Sequence, residues 1–199
     1  MENKPAAIQN YVGWKINTLM NLKESTFRAA LAKLRRGVGK HPGSLPDIWE
    51  FTLGGLPEDF LSQSGEPTPG EWAVHISLTL FALHQQGKDP KQQPMSVTPG
   101  NSLGSAIRTV LFAEKNEASE DATKRRFDTV VTSNSPEELV NHLRGIIQLL
   151  RSSSIPLDYP QLAADLFRFQ SPISRDGVRL RWGQDYYAIN RKDEENNEG

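Results

Sequence analysis

Arg28-Ala-Ala-Leu-Ala-Lys-Leu-Arg-Arg-Gly-Val-Gly-Lys-His-Pro-Gly43 carries five basic residues and no acid. With Phe27 just ahead of it, the apolar residues Phe27, Ala30, Leu31 and Leu34 fall at i, i+3, i+4 and i+7, the spacing of one buried helix face. Arg28 and Arg35 lie two turns apart, with Lys33 and Arg36 further round the exposed side. The stretch therefore predicts a helix with one apolar and one cationic stripe. Gly37 is placed to end it in the left-handed conformation, which puts Arg35 and Arg36 in the last turn. The helix dipole accounts for those two charges. An anion-binding face accounts for all five.

The same signals recur on both sides of this helix. Upstream, Ile8, Tyr11, Val12, Ile16 and Leu19 predict a first helix over 8–20, and Asn21 with Glu24 three residues later reads as a capping box opening the basic helix. Downstream, 47–53 and 57–61 read as short helices, the first stopped by Gly54-Gly55. Thr68-Pro-Gly-Glu71 is a second capping box with proline at the first helical position, and it starts the longest apolar helix, 72–86, ended by Gly87. Residues 87–100, with three prolines and two glycines, form the clearest loop. Further helices are expected over 101–115, 119–132, 139–150 (with Ser135 and Glu138 as a third capping box), from Asp158 to about Gln170, and 174–189. No run of alternating β-branched residues appears. The sequence predicts an all-α protein, a multi-helix bundle of about eight or nine helices. It is expected as one helical domain over 1–189, with the 87–100 loop a possible joint between two halves, followed by a disordered acidic tail at 190–199.

Composition narrows the function. The 199-residue chain is 37% hydrophobic and 24% charged, ordinary for a soluble globular protein. Its net charge of −1 gives no overall field toward polyanions, so nucleic-acid binding must come from uneven placement of charge. The absence of cysteine removes disulfides, thiol nucleophiles and thiolate metal sites. No signal-like or membrane-spanning stretch is visible, which predicts a soluble cytoplasmic protein without membrane contact.

Catalytic constellations are missing. Gly37-Val-Gly39 follows a helix and lacks the third glycine of a dinucleotide loop, and there is no Gly-x-Ser-x-Gly or His-Glu-x-x-His. His75 and His84, nine residues apart, do not share a helix face as paired ligands would, and read as core histidines. Asp158 and Asp165 read as a helix cap plus a surface acid. The expectation is no catalytic residues, no metal and no cofactor. Basic residues, by contrast, cluster at 28–40, 124–126 and 175–181, with Arg108, Arg144 and Arg168 between. No single recognition helix aims polar residues at base edges, so the pattern suits contact with phosphates, where arginine's planar fork is effective. Trp182, Tyr186 and Tyr187 beside the last cluster are either core or stacking platforms for unpaired bases.

An ordered set of segments resembles the CasB family, the small subunit of the type I-E CRISPR surveillance complex Cascade. They are Ala29 to Gly39 with Pro46-x-x-Trp49, Leu80-Phe-Ala-Leu-His-Gln-Gln-Gly87, Gly100-Asn-Ser-Leu-Gly104, Lys124-Arg-Arg-Phe127, His142-Leu-Arg-Gly145, Ile155-Pro-Leu-Asp-Tyr159 and Val178 to Tyr186. The likeness spans roughly residues 10–188. It implies an all-helical, non-catalytic subunit, present as two copies head to tail beside the large subunit and the backbone subunits that carry the crRNA. The small subunits of that family help hold the target strand and give the displaced non-target strand a basic path, stabilising the R-loop. Carried onto this chain, the basic surface falls on Arg35, Arg36, Lys124, Arg125, Arg126 and Arg144. Charge placement adds Arg28, Arg108, Arg175 and Arg179. The other reading is a structural helical spacer whose basic patches hold partner subunits.

Overall fold

Thr68 and Glu71 close both halves of their capping box in the computed structural model, which describes residues 3–113 and 117–188. The Glu71 amide donates to Thr68 Oγ1 at 3.1 Å and the Thr68 amide to Glu71 Oε2 at 2.8 Å. The helix so started, Pro69–His84, is buried on every side from Trp72 to Ala82. A helix apolar all round belongs in the middle of a core. Around it stand Lys4–Met20 (α1), Glu24–Arg35 (α2), the short Trp49–Thr52 (α3), Leu103–Ala113 (α5), Glu117–Thr132 (α6), Pro136–Ser152 (α7), Tyr159–Phe169 (α8) and Pro172–Tyr187 (α9), with Pro69–His84 as α4. Short 3₁₀ turns occupy Pro46–Ile48 and Glu58–Phe60.

The expected all-α class holds. The described residues contain no strand, and one isolated bridge joins Ser96 to Leu157. Helix α4 packs on α1, α2, α7 and α8; α8 also contacts α1 and α9; α5 lies along α9 and α6 along α7. One buried cluster runs from Ile8 on α1 to Tyr186 on α9. Proline stands at the first or second position of α1, α4, α7, α8 and α9, where its missing N–H removes no intrahelical bond. The acidic tail expected over 190–199 and the end of the helix expected over 101–115 lie outside the described residues.

Three local expectations are corrected. Asn21 does not cap α2; its amide N–H and its Nδ2 both donate to Asn17 O, so it closes the end of α1. The residue before α2 is Lys23, which makes no side-chain cap bond. Gly37 is not left-handed either. It is buried where an added Cβ would stand 2.8 Å from Thr79 Cγ2 and 2.9 Å from Ile48 Cδ1, and the positive φ of 74° falls at Gly39. Glycine at 37 thus serves close approach of α2 to α4. Finally, Asp165 is not a surface acid: only 2% of it is exposed.

The α8–α9 contact is built on that carboxylate. Asp165 Oδ2 accepts from Trp182 Nε1 at 2.9 Å, and Oδ1 accepts from Arg181 at 2.6 Å and from Gln161 at 2.9 Å. Asp158 acts as expected, its Oδ1 capping α8 through the Gln161 amide at 2.9 Å. It also receives Thr98 Oγ1 at 3.0 Å and the Gly100 amide at 3.2 Å, which fastens the end of the long loop to α8.

Candidate nucleic-acid interface

Helix α6 presents the densest cation run. Phe127 and Val130 turn into the core, which sends Lys124, Arg125 and Arg126 to the surface. Lys124 Nζ sits 2.8 Å from Asp128 Oδ2 one turn on, and this bond holds its ammonium protonated above the ordinary lysine value. Arg125 and Arg126 have no carboxylate within ion-pair distance among the described residues. Arg144, on the exposed side of α7, is in the same condition. Among the described residues, these three guanidiniums are exposed and carry no carboxylate partner.

The cations of α2 fall into a different setting. Between α2 and the chain leaving α4 runs a groove of about 830 Å³ with Phe27 and Leu31 on its floor. Arg28, Arg35, Lys23, Lys88 and Lys91 line it, against the two acids Glu24 and Asp89. Glu24 is engaged by Arg28, and Asp89 caps its own turn through the Lys91 and Gln92 amides. Arg35 is half-buried, and burial first, then the nearby charge of Arg151, lowers its pKa from the usual guanidinium value. Arg36 instead pairs with Asp47 at 3.0 Å.

The remaining expected site residues are used inside the fold. Arg108 donates to the Ala188 carbonyl. Arg175 Nε donates to Phe169 O at 2.8 Å, and its guanidinium lies 5.6 Å from the Phe169 ring centre. Arg179 donates to Ser133 O at 3.0 Å and pairs with Asp176 at 3.2 Å, tying α9 to the turn before α7. Lys23, Lys88, Lys91 and Arg151 were not singled out by sequence. Lys88 and Lys91 bracket the turn after Gly87, a visible pattern, but only the fold brings that turn opposite α2.

The aromatic residues divide. Trp182 is fully buried and Tyr186 stacks on Phe127 with ring centres 4.5 Å apart, so both are core. Tyr187 is 64% exposed. The histidines on α4 are core, as expected. His75 Nε2 lies 3.0 Å from Gly37 O, and His84 Nδ1 lies 3.2 Å from Tyr159 Oη. Burial lowers both pKa values, that of His84 to about 4. Among the described residues no group of three or more metal-capable side chains converges, and no helix is long and apolar enough to cross a membrane.

Solved structures share this architecture. The crystal structure of CasB from Thermobifida fusca superposes with a TM-score of 0.74 and 29% identity, covering 92% of this chain and 98% of that one. A chain of a CRISPR RNA-guided surveillance complex gives a TM-score of 0.69 at 22% identity, covering 90% of this chain and 93% of its own. The CasB of M. ruber gives 0.64 at 20%, covering 92% and 96%. At those last two identities the likeness establishes the fold. No curated protein matches the sequence significantly. Residues 30–187, from the middle of α2 to the end of α9, match the family described as CRISPR-associated protein Cse2. That span is most of the chain, and it takes in the α6 and α7 cations and most of the α2 stripe: the chain belongs to the CRISPR-associated Cse2 family.

Proposed function

We propose that this chain is a non-catalytic subunit of a CRISPR RNA-guided surveillance complex of the type I-E Cascade kind. There it holds nucleic-acid backbone without reading sequence. The observation that carries the reading is the placement of Arg125, Arg126 and Arg144, exposed and without acidic partners among the described residues, on a Cse2-family fold. Free guanidiniums on two adjacent helices suit phosphates spaced along a strand. The groove lined by Arg28 and Arg35 offers a second phosphate path. Exchange of a DNA duplex for a guide–target hybrid is close to balanced, so a few protein–phosphate contacts are enough to tip it. In this reading the chain contacts the target strand and the displaced strand. It sits beside a second copy of itself, the large subunit and the backbone subunits.

The reading is tested by fluorescence anisotropy of the full chain with labelled single- and double-stranded DNA across a salt series. Binding indifferent to sequence and falling steeply with salt supports it. A second reading, a helical spacer whose cations meet acidic partner subunits, is favoured by the number of arginines already tied into the fold, Arg36, Arg108, Arg175 and Arg179 among them. It predicts no binding at low salt and loss of the subunit from the reconstituted complex when Arg125 and Arg126 are both changed to alanine.

A further inference from the structure

A pocket of about 470 Å³ opens between α6 and α9. Phe127 and Val131 form its apolar wall, Tyr187 stands at its edge, and Gly183 contributes no side chain. Asp128, Thr132, Asn134 and Arg179 supply the polar lining. Small-molecule sites commonly run about 300–1,000 Å³ and combine an apolar wall with a few placed polar groups, as here.

Three details point to one occupant. Tyr187 is 64% exposed, and its ring is braced edge-on by Tyr186 at 4.7 Å between centres. Tyr186 in turn stacks on Phe127. An exposed ring with a rigid aromatic support is a stacking platform. The cations share the geometry: Lys124 and Arg125 lie one and two turns before the pocket residues Asp128, Val131 and Thr132 on the same side of α6. Lys124 Nζ rests 2.8 Å from the Asp128 carboxylate inside the lining. Arg179 Nε is buried at the pocket with no partner among the described residues.

Resting on the backbone-binding reading above, we infer that this α6–α9 pocket receives an unpaired nucleobase, stacked on Tyr187, while Lys124 and Arg125 hold the adjoining phosphates. The ligand class is single-stranded nucleic acid. A base inside a duplex has both faces covered by its neighbours and cannot enter.

Gly183 makes the pocket separable from the charges. A Cβ added there meets nothing within 4 Å, and leucine is a better helix former than glycine, so Gly183→Leu fills the pocket without altering charge or lowering the melting temperature. The full chain is titrated at low salt with a single strand carrying 2-aminopurine and with the same strand made abasic. The intact strand is expected to bind roughly tenfold tighter, with quenching of 2-aminopurine. Gly183→Leu and Tyr187→Ala should remove both the preference and the quenching. Lys124→Ala with Arg125→Ala should weaken both strands alike. Equal binding of intact and abasic strands by the unsubstituted chain, or a preference that survives Gly183→Leu, overturns the pocket and leaves the backbone reading standing. Failure to bind either strand overturns both.

Discussion

Trp182 Nε1 donates to Asp165 Oδ2 at 2.9 Å within the contact of α8 and α9, where neither side chain is more than 2% exposed. The same carboxylate also takes Arg181 and Gln161, and Arg168 stands 3.7 Å from it. One acid therefore satisfies an indole, an amide and the nearest guanidinium at once. Removing this acceptor leaves the buried Trp182 N–H without a partner.

Asp165→Ala is expected to lower unfolding free energy by about 3 kcal/mol, the scale for breaking a buried charged network. The partly exposed arginines recover some hydration, which keeps the loss from being larger. Asp165→Asn retains an acceptor for Trp182 and should lose less. Urea titration followed by tryptophan emission measures both.

His84 predicts an acid-sensitive fold. Its pKa is lowered by burial to about 4, below the usual imidazole value of about 6.5, so the folded state binds fewer protons between those values. The stability tied to neutral His84 is fully present above about pH 6.5 and is lost as pH falls toward 4, by roughly 3 kcal/mol at full titration. His75, shifted in the same direction, adds to the slope. Melting temperature should fall across this window in the unsubstituted chain and fall less in His84→Gln.

Gly104 sets the distance between α5 and α9. A Cβ there would lie 2.1 Å from Trp182 O and 2.9 Å from the Tyr186 amide nitrogen, so two backbones would have to part. Gly104→Ala is expected to cost about 3 kcal/mol, the upper end for overpacking, because the obstacle is main chain and cannot rotate away. A lower melting point with a red shift of the summed tryptophan emission is the expected outcome.

The arginines separate into two experimental groups. Changing Arg125, Arg126 and Arg144 together to alanine should leave the melting temperature unchanged and reduce the salt slope of single-strand binding by up to about 2. Changing Arg175 and Arg179 strips hydrogen bonds from Phe169 O and Ser133 O and should destabilise by roughly 1–3 kcal/mol, with little change in the slope. The reverse pattern would reassign the interface.

The division between legible and hidden features follows from range. Thr68 with Glu71, the apolar face of Phe27, Ala30, Leu31 and Leu34, and the Asp158 cap are interactions within one helix or its first turn, and the sequence displays them. The Asn21–Glu24 spacing was equally good, but the preceding helix took Asn21 for its own end. Gly37 was legible as special without its reason, since Thr79 and Ile48 reach it only after folding. The arginines show the same limit. Arg125 and Arg179 read alike as exposed helix cations; what distinguishes them is that a helix end leaves Ser133 O open beside Arg179. Asp165 reads from sequence as a surface acid because its donors Trp182 and Arg181 come from the next helix.

The long connection after α4 is held at both ends. Gln85 bonds the Lys88 and Gln93 carbonyls through Nε2 and the Met95 amide through Oε1, and Asp158 fixes Thr98 and Gly100. Between these anchors Asp89 to Gln92 forms a free-standing turn whose Lys91 helps form one wall of the α2 groove. Residues inserted there lengthen a loop already closed and cost little entropy. The turn is thus a graft site: its length and charge can be varied to widen, narrow or neutralise the groove while the register of α4 against α8 stays fixed.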